Sequence, residues 1–250
     1  PFSINITKGW LSLEKLKAYL IYSSTLIGIF LFVFLVFNAF EKVADEAVSA
    51  EISEKELIVV IDAGHGGEDS GAVANSVLEK DINLEIALKL RDMLKASGIE
   101  VKMIRESDVS IYDTASGTIR ERKVSDLKNR VKIVNNNKKN ILVSIHQNKF
   151  EQSKYSGAQM FYSANNDKSQ ILAENIRKSI TGLIQPENKR ELKKGGSDIY
   201  LLNKATVPAV IVECGFISNE EEAKNLSNEE YQNKIAFAIC CGLLEYKNKN

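Results

Sequence analysis

The stretch L57-IVVIDAGHGG-67 joins a β-branched apolar run to a histidine set among glycines. Residues 57–62 are too short and too β-branched for a buried helix and read as a buried strand. Glycine lets a backbone turn tightly at positive φ and clears space beside the chain. A strand, a tight turn and then a helical pattern is the start of an α/β fold.

Working outward, the same alternation continues to the end of the chain. Residues 80–96 predict a helix, with Ile86, Ala87, Leu90, Met93 and Leu94 on one face and Gly98 closing it. Ile99–Arg105 predicts a strand, 106–124 an extended loop, 125–136 a helix and Ile141–Ile145 a third strand. Gly157–Tyr162 is strand-like, 167–184 helical, and Ile199–Leu202 and Ala209–Val212 strand-like. Ser227-Asn228-Glu229-Glu230 resembles a capping box opening a last helix to about Tyr246. The expectation is one α/β domain over 56–250, with a twisted, mostly parallel mixed sheet flanked by helices.

Three of these strands end in polar chemistry: His65 after IVVID, His146 after ILVSI, and Glu213 closing AVIVE. Ligands bind outside the carboxyl ends of strands in an open parallel sheet. Parallel strands would therefore bring both histidines of the protein into one site. Two imidazoles suit zinc, which keeps three protein ligands when catalytic. Glu79, at the start of the helix after the glycine turn, can swing back as the third. A favourable charge at a helix N-terminus is its plainer explanation. Glu213 is placed to act as base and acid beside the metal. Neighbours along a strand face opposite ways, so Cys214 points away from Glu213. Cys240 and Cys241 lie in an apolar run and read as core. The glycines match neither phosphate-binding pattern, so a nucleotide site is not expected.

Composition narrows the classes. Lys plus Arg equals Asp plus Glu at 33 each, which leaves no basic field for nucleic acid. Three cysteines, an odd number without metal-finger spacing, make no disulfide framework. Tyr19 to Phe40 carries no charged residue. A helix of that length reaches ~33 Å, enough for a hydrocarbon core of ~30 Å. Lysines precede it and acidic residues follow. The expected layout is a cytoplasmic segment 1–18, a transmembrane anchor 19–40, a linker or frayed helix 41–55, and an extracytoplasmic domain. A signal peptide cleaved near Val48-Ser49-Ala50 is the competing reading.

The blocks VIDAGHGGEDSGA, LEKDINLE, SIHQN and PAVIVECGFISN, in that order, resemble the signature blocks of zinc-dependent N-acetylmuramoyl-L-alanine amidases. The resemblance runs from about Leu57 to Tyr246. It implies one Zn²⁺ per chain on His65, Glu79 and His146, with Glu213 as catalytic residue and Asn148 as a polar substrate contact. It also implies hydrolysis by zinc-activated water of the amide between N-acetylmuramic acid and L-alanine in peptidoglycan. A narrower resemblance, carried by IYDTASGTIRERKVSDLKNRV (111–131) and the single N-terminal apolar segment, is to the spore-cortex, germination-specific amidases. Those enzymes act on the way to muramic-δ-lactam. Residues 147–212 look too short for the inhibitory helix of division amidases, which leaves expression, metal supply or an activator protein as the control. The rival readings are a zinc exopeptidase on wall peptides and a non-catalytic, membrane-anchored wall-binding protein. Two departures stand out: Ala63 where the family more often has proline, and Asn75-Ser76-Val77 where a glycine is commoner.

Overall fold

The computed structural model describes residues 13–54, 57–113 and 117–249. The chain divides into two units, 1–55 and 56–250. The described part of the first is a single helix, α1 (Leu13–Glu54), which runs on through the stretch expected as linker or frayed helix. Within it, Lys15–Val43 is long and apolar enough to cross a membrane, and its apolar side chains are exposed. Its polar side chains satisfy themselves locally. The hydroxyls of Ser23, Ser24 and Thr25 donate to carbonyls three residues back, and the Asn38 amide donates to Phe34. Such back-bonding lets polar side chains sit in an apolar span without an outside partner.

The second unit is an α/β domain. Its elements in order are β1 (Ile58–Ala63), β2 (Val73–Ala74), β3 (Val77–Leu78), α2 (Glu79–Ala96), β4 (Glu100–Met103), α3 (Ile119–Asn135), β5 (Asn140–Asn148), β6 (Gln159–Tyr162), α4 (Lys168–Leu183), β7 (Lys193–Lys194), α5 (Tyr200–Lys204), β8 (Ala209–Phe216), α6 (Glu220–Leu226) and α7 (Glu229–Lys249). The main sheet has the order β4-β1-β5-β8-β6-β7. β4, β1, β5 and β8 are mutually parallel, and β6 joins β8 antiparallel. This is the mixed, mostly parallel sheet expected.

The pleat sorts the strand residues between two cores. Val59, Ile61, Ile141, Val143, Val210, Val212 and Cys214 face a large core built by α2, α4 and α7. Val60, Leu142, Ala209 and Ile211 face a smaller core with α3 and α5. Successive strand residues point to opposite faces. Asp62, Ser144, His146 and Glu213 therefore follow Val60, Leu142 and Ile211 onto the α3/α5 side, at the carboxyl ends of the central strands.

Several elements differ from the sequence reading, each for a physical reason. Helix α3 starts at Ile119 instead of 125, because Thr118 closes a reciprocal capping box with Glu121. None of its first six residues, 119–124, is buried, so no apolar period announces that part of the helix. Residues 200–202 open α5, with Ile199 just before it, and the stretch is not a strand. Leu201 and Leu202 still bury, but in one helical turn too short to show periodicity. The expected capping box at Ser227 is divided between two helices. The Ser227 hydroxyl donates back to Ala223 at the end of α6, and the Asn228 side chain accepts from the Tyr231 N–H to open α7. Cys240 is core, as expected, whereas Cys241 is only half-buried. The unexpected β2–β3 hairpin accounts for Asn75 in the second sequence departure, and nothing in the structure explains Ser76 there. Asn75 and Ser76 both have positive φ, of 48° and 61°. A two-residue turn of this type demands φ > 0 at both positions, which glycine and asparagine tolerate. The Asn75 amide also donates to the Ile217 carbonyl at 2.8 Å, tying the hairpin to the end of β8.

Candidate active site

His65, Glu79, His146 and Glu213 come together at the carboxyl ends of β1, β5 and β8. Parallel register places His146 directly beside Glu213. His65 leaves β1 on the glycine turn with φ of 63°, and its ring lies edge-on to His146 at 4.9 Å between centroids. Glu79, the first residue of α2, reaches both. Its Oε2 lies 3.2 Å from His65 Nε2 and its Oε1 lies 2.8 Å from His146 Nδ1. One ligand atom from each of His65, Glu79 and His146 fits within 4.8 Å of the others.

The glycines have a steric function here. A Cβ on Gly64 would lie 2.2 Å from His146 Nε2, and one on Gly71 would lie 2.6 Å from both Glu79 Oε2 and the His65 ring. Only glycine leaves the rings and the carboxylate room to converge.

Hydrogen bonds fix each donor. Glu79 accepts from the Ala72 N–H at 2.7 Å and the Gln147 N–H at 3.1 Å. The Asn83 amide donates to Glu79 and to the Gly64 carbonyl, and Gln147 donates to Asn83. Asp69 Oδ2 lies 2.8 Å from His65 Nδ1, which turns Nε2 toward the cluster, and Lys123 pairs with the other Asp69 oxygen at 2.9 Å. A carboxylate behind a histidine is the usual outer-shell support of a metal ligand. Sequence reading quoted Asp69 inside a motif without assigning it a role. Asn83 in LEKDINLE, Arg130 in 111–131 and Arg105 at the end of a predicted strand were likewise given no role.

The charges match a cation site. Burial disfavours the charged form of Glu79, but the two histidines outweigh it and hold the carboxyl far below the usual carboxylate range. Burial also opposes charge on His65, yet Asp69 and Glu79 push its pKa up to about 9. In Glu213, burial dominates and raises the pKa to about 7, with the histidines pulling against it. Its Oε2 is shielded from solvent and has no hydrogen-bond partner among the described residues. An ionisable oxygen left unpaired beside a donor cluster is the expected state of a group that works on a substrate or solvent molecule. Two imidazoles and one carboxylate, braced from behind, are a donor set that fits zinc. Cys214 faces the opposite core, fully buried, and burial raises its thiol far above the ordinary range. That removes it as a nucleophile. Asn148 ends β5 after an irregularity in register, and its carbonyl accepts from the Ile217 N–H at 2.9 Å.

A cavity of about 280 Å³ opens over this cluster. His65 and His146 line it, with Lys123 and Leu127 from α3 and Tyr200 and Leu201 from α5. Imidazoles and carboxylates thus converge at a cleft beside the carboxyl ends of the strands, a usual place for a ligand in an open α/β sheet.

Comparison with known proteins identifies the family. Residues 59–245 match the N-acetylmuramoyl-L-alanine amidase family (Amidase_3), and the chain belongs to it. A germination-specific N-acetylmuramoyl-L-alanine amidase from Bacillus subtilis is 37% identical, over 76% of this chain and 79% of that protein. Among solved structures, the CwlD amidase from Clostridioides difficile, in complex with the GerS lipoprotein, is 45% identical with a TM-score of 0.74. It covers 78% of this chain and 100% of its own. The catalytic domain of CwlV, an amidase from Bacillus (Paenibacillus) polymyxa, is 33% identical with a TM-score of 0.64, over 78% and 99% of the two chains.

Proposed function

We propose that this protein is a zinc-dependent amidase that releases stem peptides from N-acetylmuramic acid in the spore-cortex peptidoglycan, contributing to muramic-δ-lactam formation. The observation that carries the reading is the convergence of the His65, Glu79 and His146 donor atoms beside the unpaired Glu213 oxygen. The germination-specific and CwlD relatives support the cortex assignment.

His65, Glu79 and His146 hold the metal. When bound there, zinc supplies Lewis acidity to the scissile carbonyl and to the attacking water. Glu213 Oε2 takes the proton from that water as it attacks the lactyl carbonyl carbon. The same carboxyl then returns the proton to the alanine nitrogen as the C–N bond breaks. Asp69 keeps the His65 ring oriented, and Asn83 and Gln147 hold Glu79. Asn148, at the end of β5, contacts the substrate.

The α1 helix anchors the protein in the membrane, with the catalytic unit on the wall side. A lipoprotein partner fits that location, as in the complex solved for the CwlD relative.

Mass spectrometry of products from purified peptidoglycan tests the reading. The full chain should release peptides with a free L-alanine amino end, and a chelator should stop it. Products cut within the stem peptide would overturn the assignment in favour of a peptidase.

A further inference from the structure

Helix α3 contributes no proposed ligand, yet it carries a buried arginine aimed at the ligand-bearing turn. Arg130 Nη2 donates to the His65 carbonyl at 2.7 Å, and Nη1 donates to the Ala63 carbonyl at 3.1 Å and to Asp62 Oδ1. Its Nε donates to Asp126 Oδ2 at 2.6 Å. Arg105 serves the same turn from the other side. Its Nε donates to the Ala63 carbonyl at 2.8 Å, and Nη2 donates to Gly64 at 3.0 Å and to Lys80 at 2.8 Å. The carbonyls of Ala63, Gly64 and His65 lie beyond the paired part of β4, so the two guanidinium forks stand where a strand neighbour would be.

The network reaches the second histidine as well. Asp62 Oδ2 accepts from the Ser144 hydroxyl at 2.6 Å, and Ser144 lies on β5 two residues before His146. Arg130 is 3% exposed and Asp62 1%, which seats them in the floor of the cavity. Two arginines balance the carboxylates of Asp62 and Asp126, so the cluster is buried without net charge. A non-glycine residue at positive φ is held only where its surroundings over-determine it.

We propose that Arg130, with Arg105, is a positioning residue for the metal. The arginine pair holds the strained turn so that the His65 imidazole meets Glu79 and His146 at ligand spacing. This inference rests on the zinc reading above. A lysine keeps the charge that Asp62 and Asp126 require but cannot span two carbonyls as a guanidinium does.

The test is equilibrium zinc affinity of the full chain in detergent, measured by competition with a chromophoric chelator, alongside thermal midpoints. The proteins compared are the wild type, Arg130→Lys, Arg105→Lys and Val134→Ala. Val134 is buried on the same helix but belongs to the second core. Its truncation should lower the thermal midpoint and leave zinc affinity within about twofold. Each lysine variant should bind zinc at least ~10-fold more weakly, the size expected of lost outer-shell support. Should Arg130→Lys fail to fold, Arg105→Lys carries the reading alone. Wild-type affinity in a folded lysine variant overturns the inference, as does an affinity that merely tracks the thermal midpoint through all variants. A wild-type chain that binds no zinc overturns the metal reading itself, and this one with it.

Discussion

At the scale of single residues, Glu213 and Gly64 carry the sharpest consequences. Glu213 works as a base only when ionised, and burial raises its pKa to about 7. Its ionised fraction falls as pH drops through that value, so kcat should fall on the acid side. A divalent cation among the donors favours the carboxylate, which places the acid limb at or below about pH 7. Glu213→Gln should retain zinc by metal analysis, lose ~10²–10⁴-fold in kcat and lose the limb. A variant with near-normal turnover would remove Glu213 from the mechanism. Gly64→Ala sets a methyl 2.2 Å from His146 Nε2. Something must move, at a cost of roughly 1–3 kcal/mol as for other overpacked sites. The expected result is a lower thermal midpoint together with reduced metal content; normal metal content would show that the ring has room elsewhere.

At the scale of elements, α3 is held by its ends and its polar face more than by apolar burial. The Thr118 hydroxyl accepts from the Glu121 N–H, and the Glu121 carboxylate accepts from the Thr118 N–H. Thr118→Ala should lower stability by about 1 kcal/mol in denaturant titration, with little change in kcat. The cap is exposed and far along the helix from Arg130, so a large kcat loss would mean that the start of α3 itself shapes the cleft. The sequence reading began this helix six residues late because 119–124 bury no side chain and so show no hydrophobic period, although the cap starts the helix there.

At the scale of the whole molecule, the apolar helix and the catalytic unit make separate predictions. The most apolar 18 residues within Lys15–Val43 have a mean hydropathy of 2.5, and none of that stretch is buried. Exposed apolar surface of that extent is unfavourable in water and favourable in lipid. The full chain should pellet with membranes and resist alkaline carbonate extraction, and added protease should digest it only from the wall side. Release by carbonate would contradict an anchor and favour a cleaved signal.

Much of the site was legible because strand ends are local events. His65, His146 and Glu213 each close a β-branched run, and the parallel reading of those runs sufficed to bring them to one edge. Glu79 followed from its place at the start of the next helix. The apolar span, the mostly parallel sheet and the inward-facing Cys214 likewise depend on short-range pattern, which a chain displays before it folds. What surrounds the converging donor residues was decided only by packing. Asp69, Asn83, Arg105 and Arg130 are ordinary polar residues in sequence, and their roles exist because folding buries them where each has one set of partners. The positive φ of Asn75 and Ser76, the early start of α3 and the single turn of α5 belong to the same class. Periodicity records which residues avoid water. It does not record which buried polar groups find each other across 40 or 65 residues of chain, and that pairing holds His65 in the turn quoted at the outset.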